Sequence, residues 1–238
     1  MLTVDYGLLG INGGERVLDV GCGDGRHSFE AFKRQAVVYA ADLGAKPLSN
    51  TSALLRLLAS EAPCRGGWAS LQANVTRLPF GDASFDRVIC SEVLEHLGDD
   101  DHAVDELTRV LKPGGKIAVS VPTYLTETVY WAMSRDYAHQ PGGHVRKYKA
   151  GQLVTLLERH GLHVYATRRM HGLHSPYWLL RCLFGVSRDD AWLPSLYHRF
   201  LVWDIENKTR PLRLLHKALD ATIPKSVVVY AHRADNGA

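Results

Sequence analysis

The chain has 238 residues, of which 46% are hydrophobic and 22% are charged, and its net charge is +3. This composition excludes a disordered or fibrous chain and suits one large domain, or one domain with an insertion, around a substantial core. The charge is too small to indicate a polyanionic partner, so the sequence does not favour nucleic acid binding.

Short β-branched runs alternate with amphipathic stretches over the first two thirds of the chain. The alternation predicts an α/β fold with a mainly parallel sheet covered by helices. In chain order the predicted elements are strand Arg16–Val20, helix Gly25–Arg34, strand Val37–Ala41, helix Pro47–Ser60, strand Phe85–Cys90, helix Asp100–Leu111, strand Lys116–Val121, helix Ala150–His160, strand Val164–Arg168 and a last strand, Val227–His232.

Residues 171–224 separate the last two predicted strands, which a short hairpin loop could have joined. The segment is rich in aromatic residues and has room for helices near Tyr177–Phe184, Ser195–Lys208 and Leu212–Leu219. We interpret it as a helical insertion that buries its own core, an arrangement compatible with a lid over a pocket. The main domain would then consist of residues 1–170 and 225–238.

The cellular compartment and membrane attachment are less clearly indicated by the sequence than the fold is. The four cysteines form no C-x-x-C pair, so neither a disulfide framework nor a thiolate zinc site is indicated. No apolar run approaches the roughly 20 residues that span a bilayer, and the first residues lack the pattern of a secretory signal. We therefore expect a cytoplasmic protein without a membrane span.

A glycine-rich turn follows the first predicted strand. Glycines at 21, 23 and 25 allow tight turns and let a ligand approach the backbone closely. Arg26 stands where a dinucleotide fingerprint needs glycine, and no P-loop Gly-Lys-Ser/Thr is present. Asp42 ends the second strand, where a carboxylate can accept hydrogen bonds from both hydroxyls of a ribose. Loop and carboxylate together predict an adenosine site.

Four sequence blocks carry a family resemblance, and they occur in the order Val17-Leu-Asp-Val-Gly-Cys-Gly-Asp-Gly25, Ala41-Asp42-Leu43, Asn74–Ile89 and Leu111-Lys-Pro-Gly-Gly115. With them the chain resembles class I methyltransferases that depend on S-adenosylmethionine (SAM) and act on small molecules. The resemblance implies SAM as the cofactor. It also implies a Rossmann-like, doubly wound, mainly parallel seven-stranded sheet, with the helical insertion between its last two strands.

The resemblance also implies which residues hold SAM. Carried onto this sequence, the cofactor-binding residues are Asp19, Gly21, Cys22, Gly23, Asp42, Leu43, Asn74, Val75 and Ser91. Asn74 departs from the family pattern, which usually has an aspartate facing the adenine amino group. Its amide still offers a carbonyl acceptor.

Acidic and histidine residues follow the fourth strand of the family pattern. If a helical turn begins at Glu92, then Glu92, Glu95 and His96 share one face at the carboxyl edge of the sheet. Such a face can bind a hard divalent cation. The alternative is that these residues cap a helix or hold the sheet edge. His144 follows the turn Pro141-Gly-Gly and adds an imidazole from the region expected to rim the same pocket.

This Glu-x-x-Glu-His pattern with a later histidine resembles the metal site of small-RNA 2′-O-methyltransferases and of ubiquinone-pathway catechol O-methyltransferases. The resemblance implies a Mg²⁺-like ion held by Glu92, Glu95, His96 and His144, chelating neighbouring hydroxyls of the acceptor. His144 would be a ligand, the general base, or both. The alternative for His144 is a hydrogen bond within its loop.

Our leading hypothesis is a SAM-dependent O-methyltransferase, assisted by Mg²⁺, that methylates a hydroxyl beside another oxygen. Sugars or glycosides are the preferred acceptors. Three alternatives stay open: an O-methyltransferase of a polyprenyl catechol or of an RNA end, a methyltransferase of amines or carbon, and a non-enzymatic SAM-binding module. The apolar run Tyr177-Trp-Leu-Leu180 would suit the polyprenyl acceptor.

Overall fold

The fold is described here from a computed structural model, which covers residues 2–61, 66–139, 142–186, 188, 190–207 and 210–235. The strands are β1 Arg16–Val20, β2 Val37–Asp42, β3 Trp68–Gln72, β4 Phe85–Ser91, β5 Leu111–Pro122, β6 Leu162–Met170 and β7 Ser226–Arg233. The helices are α1 Tyr6–Leu9, α2 Arg26–Lys33, α3 Ala45–Glu61, α4 Asp100–Val110, α5 Tyr124–Met133, α6 Arg135–Ala138, α7 Ala150–Arg159, α8 Ser175–Phe184, α9 Trp192–Asn207 and α10 Arg210–Thr222.

The seven strands form one sheet in the order β3-β2-β1-β4-β5-β7-β6. The pairs from β3 to β5 are all parallel, whereas β7 runs antiparallel to both of its neighbours. This confirms the predicted doubly wound, mainly parallel seven-stranded sheet. The strand order reverses at β1 and β4, and ligands of such sheets bind beyond the carboxyl ends of the strands at that point.

Both faces of the sheet are covered, which is why its central strands are almost continuously apolar. Successive residues of β1 enter different cores. Val17 packs with Phe32 and Leu55 of the α2 and α3 side, and Leu18 packs with the α4 and α7 side, which contains Leu107 and Leu153. The central strands are thereby fixed in position, and their carboxyl ends present a rigid edge.

The sequence failed to locate some of these elements. β3 lies at the edge of the sheet, and none of its five residues is fully buried, so it lacks the apolar run of a central strand. α5 and α6 were not predicted either. Residues 112–115, which lie between the predicted helix Asp100–Leu111 and the predicted strand Lys116–Val121, belong to β5. Cys64, Pro141 and Lys208, which our predictions included, lie outside the described residues.

The insertion consists of α8, α9 and α10, between β6 and β7. It is attached to the main domain by a buried hydrogen bond, which the Tyr130 hydroxyl of α5 donates to the Ser175 carbonyl oxygen at 2.9 Å. Within the segment 171–224, the Gly172 amide donates to Asp220 Oδ1 at 2.7 Å. A Cβ at position 172 would lie 2.2 Å from the Leu219 backbone, so this contact requires glycine. Among the described residues, no helix is long and apolar enough to cross a membrane.

Candidate active site

The glycine loop leaves the carboxyl end of β1 and enters α2. Gly21, Gly23 and Gly25 have φ angles of 66°, 53° and 81°, a region that disfavours residues with a Cβ. A Cβ at Gly21 would lie 2.3 Å from Val93 Cγ2, whereas one at Gly23 would meet nothing within 4 Å. Gly21 is therefore required by packing, and Gly23 leaves an open backbone surface that a ligand can approach.

Asp42 ties this loop to the end of β2. Its Oδ2 accepts a hydrogen bond from the Gly23 amide at 2.8 Å, and its Oδ1 accepts one from the Gly44 amide at 2.7 Å. The Gly23 carbonyl oxygen in turn accepts a hydrogen bond from Thr51 Oγ1 at 2.7 Å. Each carboxylate oxygen can accept further hydrogen bonds, so the carboxylate can hold the loop and a ribose together.

Asp19 lies at the base of the loop, with only 1% of its surface exposed. Burial raises the pKa of its carboxyl to about 6, although the Ser28 hydroxyl, which donates at 2.6 Å, opposes the shift. Cys22 is also buried, and its amide donates to the Ala41 carbonyl oxygen at 3.1 Å. In the described structure these two side chains support the loop from inside.

The other predicted cofactor residues surround the same edge. Leu43 is 67% exposed, whereas Val75 is buried. Asn74 Oδ1 accepts a hydrogen bond from the Thr76 amide at 3.0 Å, so its carbonyl shapes the local turn. Ser91 Oγ lies 2.9 Å from Ser120 Oγ.

Arg26, the first residue of α2, was not among the predicted site residues. Its guanidinium donates to Ser91 Oγ at 3.2 Å, and it lines the main cavity described below. It therefore offers a positive charge between the loop and the cavity. The available sequence signal was its position directly after the third loop glycine.

Glu92 does not begin a helical turn. Its φ is +59°, and the short 3-10 turn Leu94–His96 starts two residues later. Its Oε1 accepts a hydrogen bond from Ser120 Oγ at 2.9 Å, and its Oε2 lies 3.7 Å from Lys225 Nζ. The Glu92 carboxylate is therefore held at the sheet edge.

Glu95, His96 and His144 come together. One possible ligand atom from each lies within 4.8 Å of the other two, a grouping that does not include Glu92. The Glu95 side chain is 1% exposed, and neither of its oxygens has a hydrogen-bond partner among the described residues. Burial first, and then the charge of Glu92, raise the pKa of Glu95 well above its usual value. An unpartnered buried carboxyl is costly, so this group is poised for a ligand.

Both histidines are oriented by their Nδ1 atoms. Nδ1 of His96 lies 3.2 Å from the Gly143 carbonyl oxygen, and Nδ1 of His144 lies 2.7 Å from Glu127 Oε2. The Glu95 carbonyl oxygen accepts from the Val145 amide at 2.8 Å, which fastens the 3-10 turn to the His144 segment. Each Nε2 is thus left for the space between them, as in metal sites whose histidines are held by outer acceptors.

Glu127 is a functional candidate that the sequence reasoning missed. It lies on α5 with 1% exposure, and its carboxylate accepts hydrogen bonds from Trp131 Nε1, the Tyr137 hydroxyl and His144 Nδ1. Burial opposes its ionisation, but the hydrogen bonds from His144 and Tyr137 favour the carboxylate, and the pKa of Glu127 lies below its usual value. The available signal was a single carboxylate in an otherwise uncharged helix.

A cavity of about 430 Å³ joins these groups. The main domain contributes Glu92, Glu95, His96, His144, Arg26 and Lys225 to its walls, and the insertion contributes His174, Trp178 and Ile205. Burial lowers the pKa of His174 to about 4 and that of His171, also in the wall, to about 2, so both are neutral near pH 7. The cavity is large enough for a small molecule and carries charges of both signs.

Comparison with known proteins finds methyltransferases that are similar to part of this chain. Residues 18–119 match the family model described as a methyltransferase domain. A protein of Mycolicibacterium smegmatis named as a probable S-adenosylmethionine-dependent methyltransferase is 34% identical over 157 residues, which are 65% of this chain and 54% of that protein. An O-methyltransferase of Aspergillus nomiae is 34% identical over 108 residues, 45% of this chain and 46% of that protein. The chain thus spans about half the length of these relatives.

A solved structure shares the fold of this chain. The crystal structure of an S-adenosylmethionine-dependent methyltransferase from Mesorhizobium loti superposes with a TM-score of 0.60 and 20% identity, over 93% of this chain and 92% of that one. This likeness shows the fold, and the family match covers the glycine loop, Asp42 and the Glu92–His96 segment. Residues 18–119 therefore match a methyltransferase domain, within a chain that has the fold of a solved SAM-dependent methyltransferase.

Proposed function

We propose that the protein transfers the methyl group of SAM to a hydroxyl of a small acceptor, and that a divalent cation at Glu95, His96 and His144 assists the transfer. The observation that carries the proposal is the buried Glu95 carboxyl, which has no hydrogen-bond partner among the described residues and lies beside two histidines at the edge where the cofactor loop ends. The O-methyltransferase among the relatives supports oxygen as the target atom. A non-enzymatic SAM-binding module would have no use for this group.

The donor set refines the expected metal. Mg²⁺ prefers oxygen ligands, whereas imidazole suits first-row transition ions such as Zn²⁺. Glu92 is engaged by Ser120 and Lys225, which leaves one carboxylate and two imidazoles. We therefore propose a transition ion, with Mg²⁺ as the competing candidate that the sequence favoured. When bound, such an ion lowers the pKa of a coordinated hydroxyl and orients a neighbouring oxygen.

The chain's own residues would bind SAM, align the acceptor and take its proton. SAM supplies an electrophilic methyl group, and the protein's task is to align the acceptor oxygen with it. The backbone at Gly23 and the Asp42 carboxylate would hold the adenosyl end, and Asn74 and Val75 would border the adenine. Arg26, which donates to Ser91, would face the methionine carboxylate. Nε2 of His144 has one lone pair, so it binds the cation or takes the hydroxyl proton, but not both at once.

The acceptor would enter between the main domain and the insertion. We propose that residues 171–224 act as a lid, because Trp178 and Ile205 of this segment line the same cavity as Glu95 and His144. A vicinal diol, as in a sugar or glycoside, would satisfy both the cation and the polar wall. The Trp178 ring offers an apolar platform for a sugar face.

Formation of S-adenosylhomocysteine, measured across sugars, catechols, RNA ends and amines, tests the proposal. We expect turnover of a diol that is lost in EDTA and restored by Mn²⁺ or Zn²⁺, with Mg²⁺ assayed in parallel. His139→Gln serves as a control and should keep the turnover of the wild type. His139 is an exposed histidine near the site, and among the described contacts it bonds only to the Arg135 carbonyl oxygen. Full turnover in EDTA would refute the metal role, and turnover of amines alone would refute O-methylation.

A further inference from the structure

Glu127 occupies an unusual position for a carboxylate. It lies inside the domain on α5, 17 residues before His144 in sequence, and three hydrogen-bond donors converge on its two oxygens. Trp131 Nε1 donates to Oε2 at 3.1 Å, and the Tyr137 hydroxyl donates to Oε1 at 2.9 Å. Trp131 and Tyr137 therefore bond to the carboxylate independently of His144.

The contact with His144 is short and has one reasonable proton arrangement. Oε2 lies 2.7 Å from Nδ1, and an ionised carboxylate can only accept a hydrogen bond, so the shared proton lies on Nδ1. A neutral imidazole carries one proton in total. With that proton on Nδ1, Nε2 keeps its lone pair, and Nε2 is the nitrogen left for Glu95 and His96.

We infer that Glu127 is a positioning residue of this site: its carboxylate selects the tautomer of His144 and directs the free Nε2 lone pair into the cavity. The inference rests on the proposed function for the role of His144, but it applies whether Nε2 binds a cation or takes a proton. A carboxylate behind a metal-binding imidazole also strengthens the imidazole as a ligand, an effect of 10–100-fold in affinity when such partners are removed.

Glu127→Gln tests this inference without emptying the site. The amide oxygen can still accept from Trp131 and His144, and the Tyr137 hydroxyl can turn to accept from the amide nitrogen, so packing is conserved while the charge is lost. Tyr137→Phe is the matched control, because it removes a different hydrogen bond to the same carboxylate and keeps the ring. Both variants should be compared with the wild type by thermal unfolding, to show that they fold.

Two readouts are needed, and neither requires turnover. The ¹⁵N chemical shifts of His144 in the metal-free wild type should show a protonated Nδ1 and an unprotonated Nε2. The preference for this tautomer should be weaker in Glu127→Gln, because a neutral amide oxygen is a weaker acceptor than a carboxylate. Titration with Mn²⁺ and Zn²⁺ should show an affinity about 10–100-fold weaker for Glu127→Gln and within about threefold of wild type for Tyr137→Phe.

A wild-type His144 protonated on Nε2 would overturn the inference, as would metal affinity and tautomer unchanged in Glu127→Gln. If the wild type binds neither ion, the proposed metal role fails by itself. The ¹⁵N shifts of wild type and Glu127→Gln then decide the role of Glu127 alone. A merely structural role predicts no change in either readout when glutamine replaces glutamate.

Discussion

Gly21→Ala is expected to destabilise the protein much more than Gly23→Ala, although the two glycines lie in the same loop. Both positions have positive φ, and a left-handed conformation costs a residue with a Cβ about 1–2 kcal/mol. At Gly21 the new methyl would also lie 2.3 Å from Val93 Cγ2. Overpacking of this kind costs about 1–3 kcal/mol. Gly21→Ala should therefore lose about 2–5 kcal/mol and Gly23→Ala about 1–2 kcal/mol.

The steric part can be isolated with Val93→Ala, which removes the atom that the new methyl meets. In a double-mutant cycle followed by urea unfolding, Gly21→Ala should cost about 1–3 kcal/mol less in the Val93→Ala background than in wild type. Gly23→Ala should cost the same in both backgrounds, because nothing lies within 4 Å of its added Cβ. Equal losses for Gly21→Ala and Gly23→Ala, or no coupling to Val93, would refute this account of the loop.

Two further predictions concern the cofactor and the response to acid. Asp42→Ala should weaken SAM binding by at least about 10-fold, since it removes the acceptor of the Gly23 and Gly44 amides, and calorimetric affinity equal to wild type would contradict the assigned site. Burial lowers the pKa of His27 to about 3, below the 6.5 of an unfolded chain, so its contribution is complete above pH 6.5 and is lost as the pH falls. The free energy of unfolding falls between pH 7 and pH 5, and this decrease should be smaller in His27→Gln than in wild type by about 2 kcal/mol. An equal decrease in both proteins would refute this role of His27.

Much of the fold could be predicted because its signals are local. The central strands are buried on both faces and therefore read as apolar runs; β1 was predicted with its observed bounds, Arg16–Val20. Edge strand β3 was not predicted, because a half-exposed strand needs few apolar residues. α5 was not predicted either, although its buried face and its single internal carboxylate are evident in the structure.

The candidate site was predictable only in part, because its geometry comes from the fold. The sequence singled out Glu95, His96 and His144, and the structure brings them together across nearly 50 residues of chain. Sequence spacing could not show that Ser120 and Lys225 contact Glu92, or that Glu127 lies behind His144. These partners come from β5, from the residue before β7 and from α5. The prediction of a helical turn at Glu92 was wrong, because the chain takes a positive φ there as it leaves β4.

Glu95→Gln gives the most direct test of the claim that one edge of the sheet holds SAM and the neighbouring cavity activates the acceptor. The glycine loop and Asp42 are untouched by this substitution, so SAM should bind within about twofold of wild-type affinity. Turnover of the best diol acceptor, measured as S-adenosylhomocysteine released with Mn²⁺ or Zn²⁺ present, should fall by about 100-fold or more. Wild-type turnover in Glu95→Gln would contradict the account.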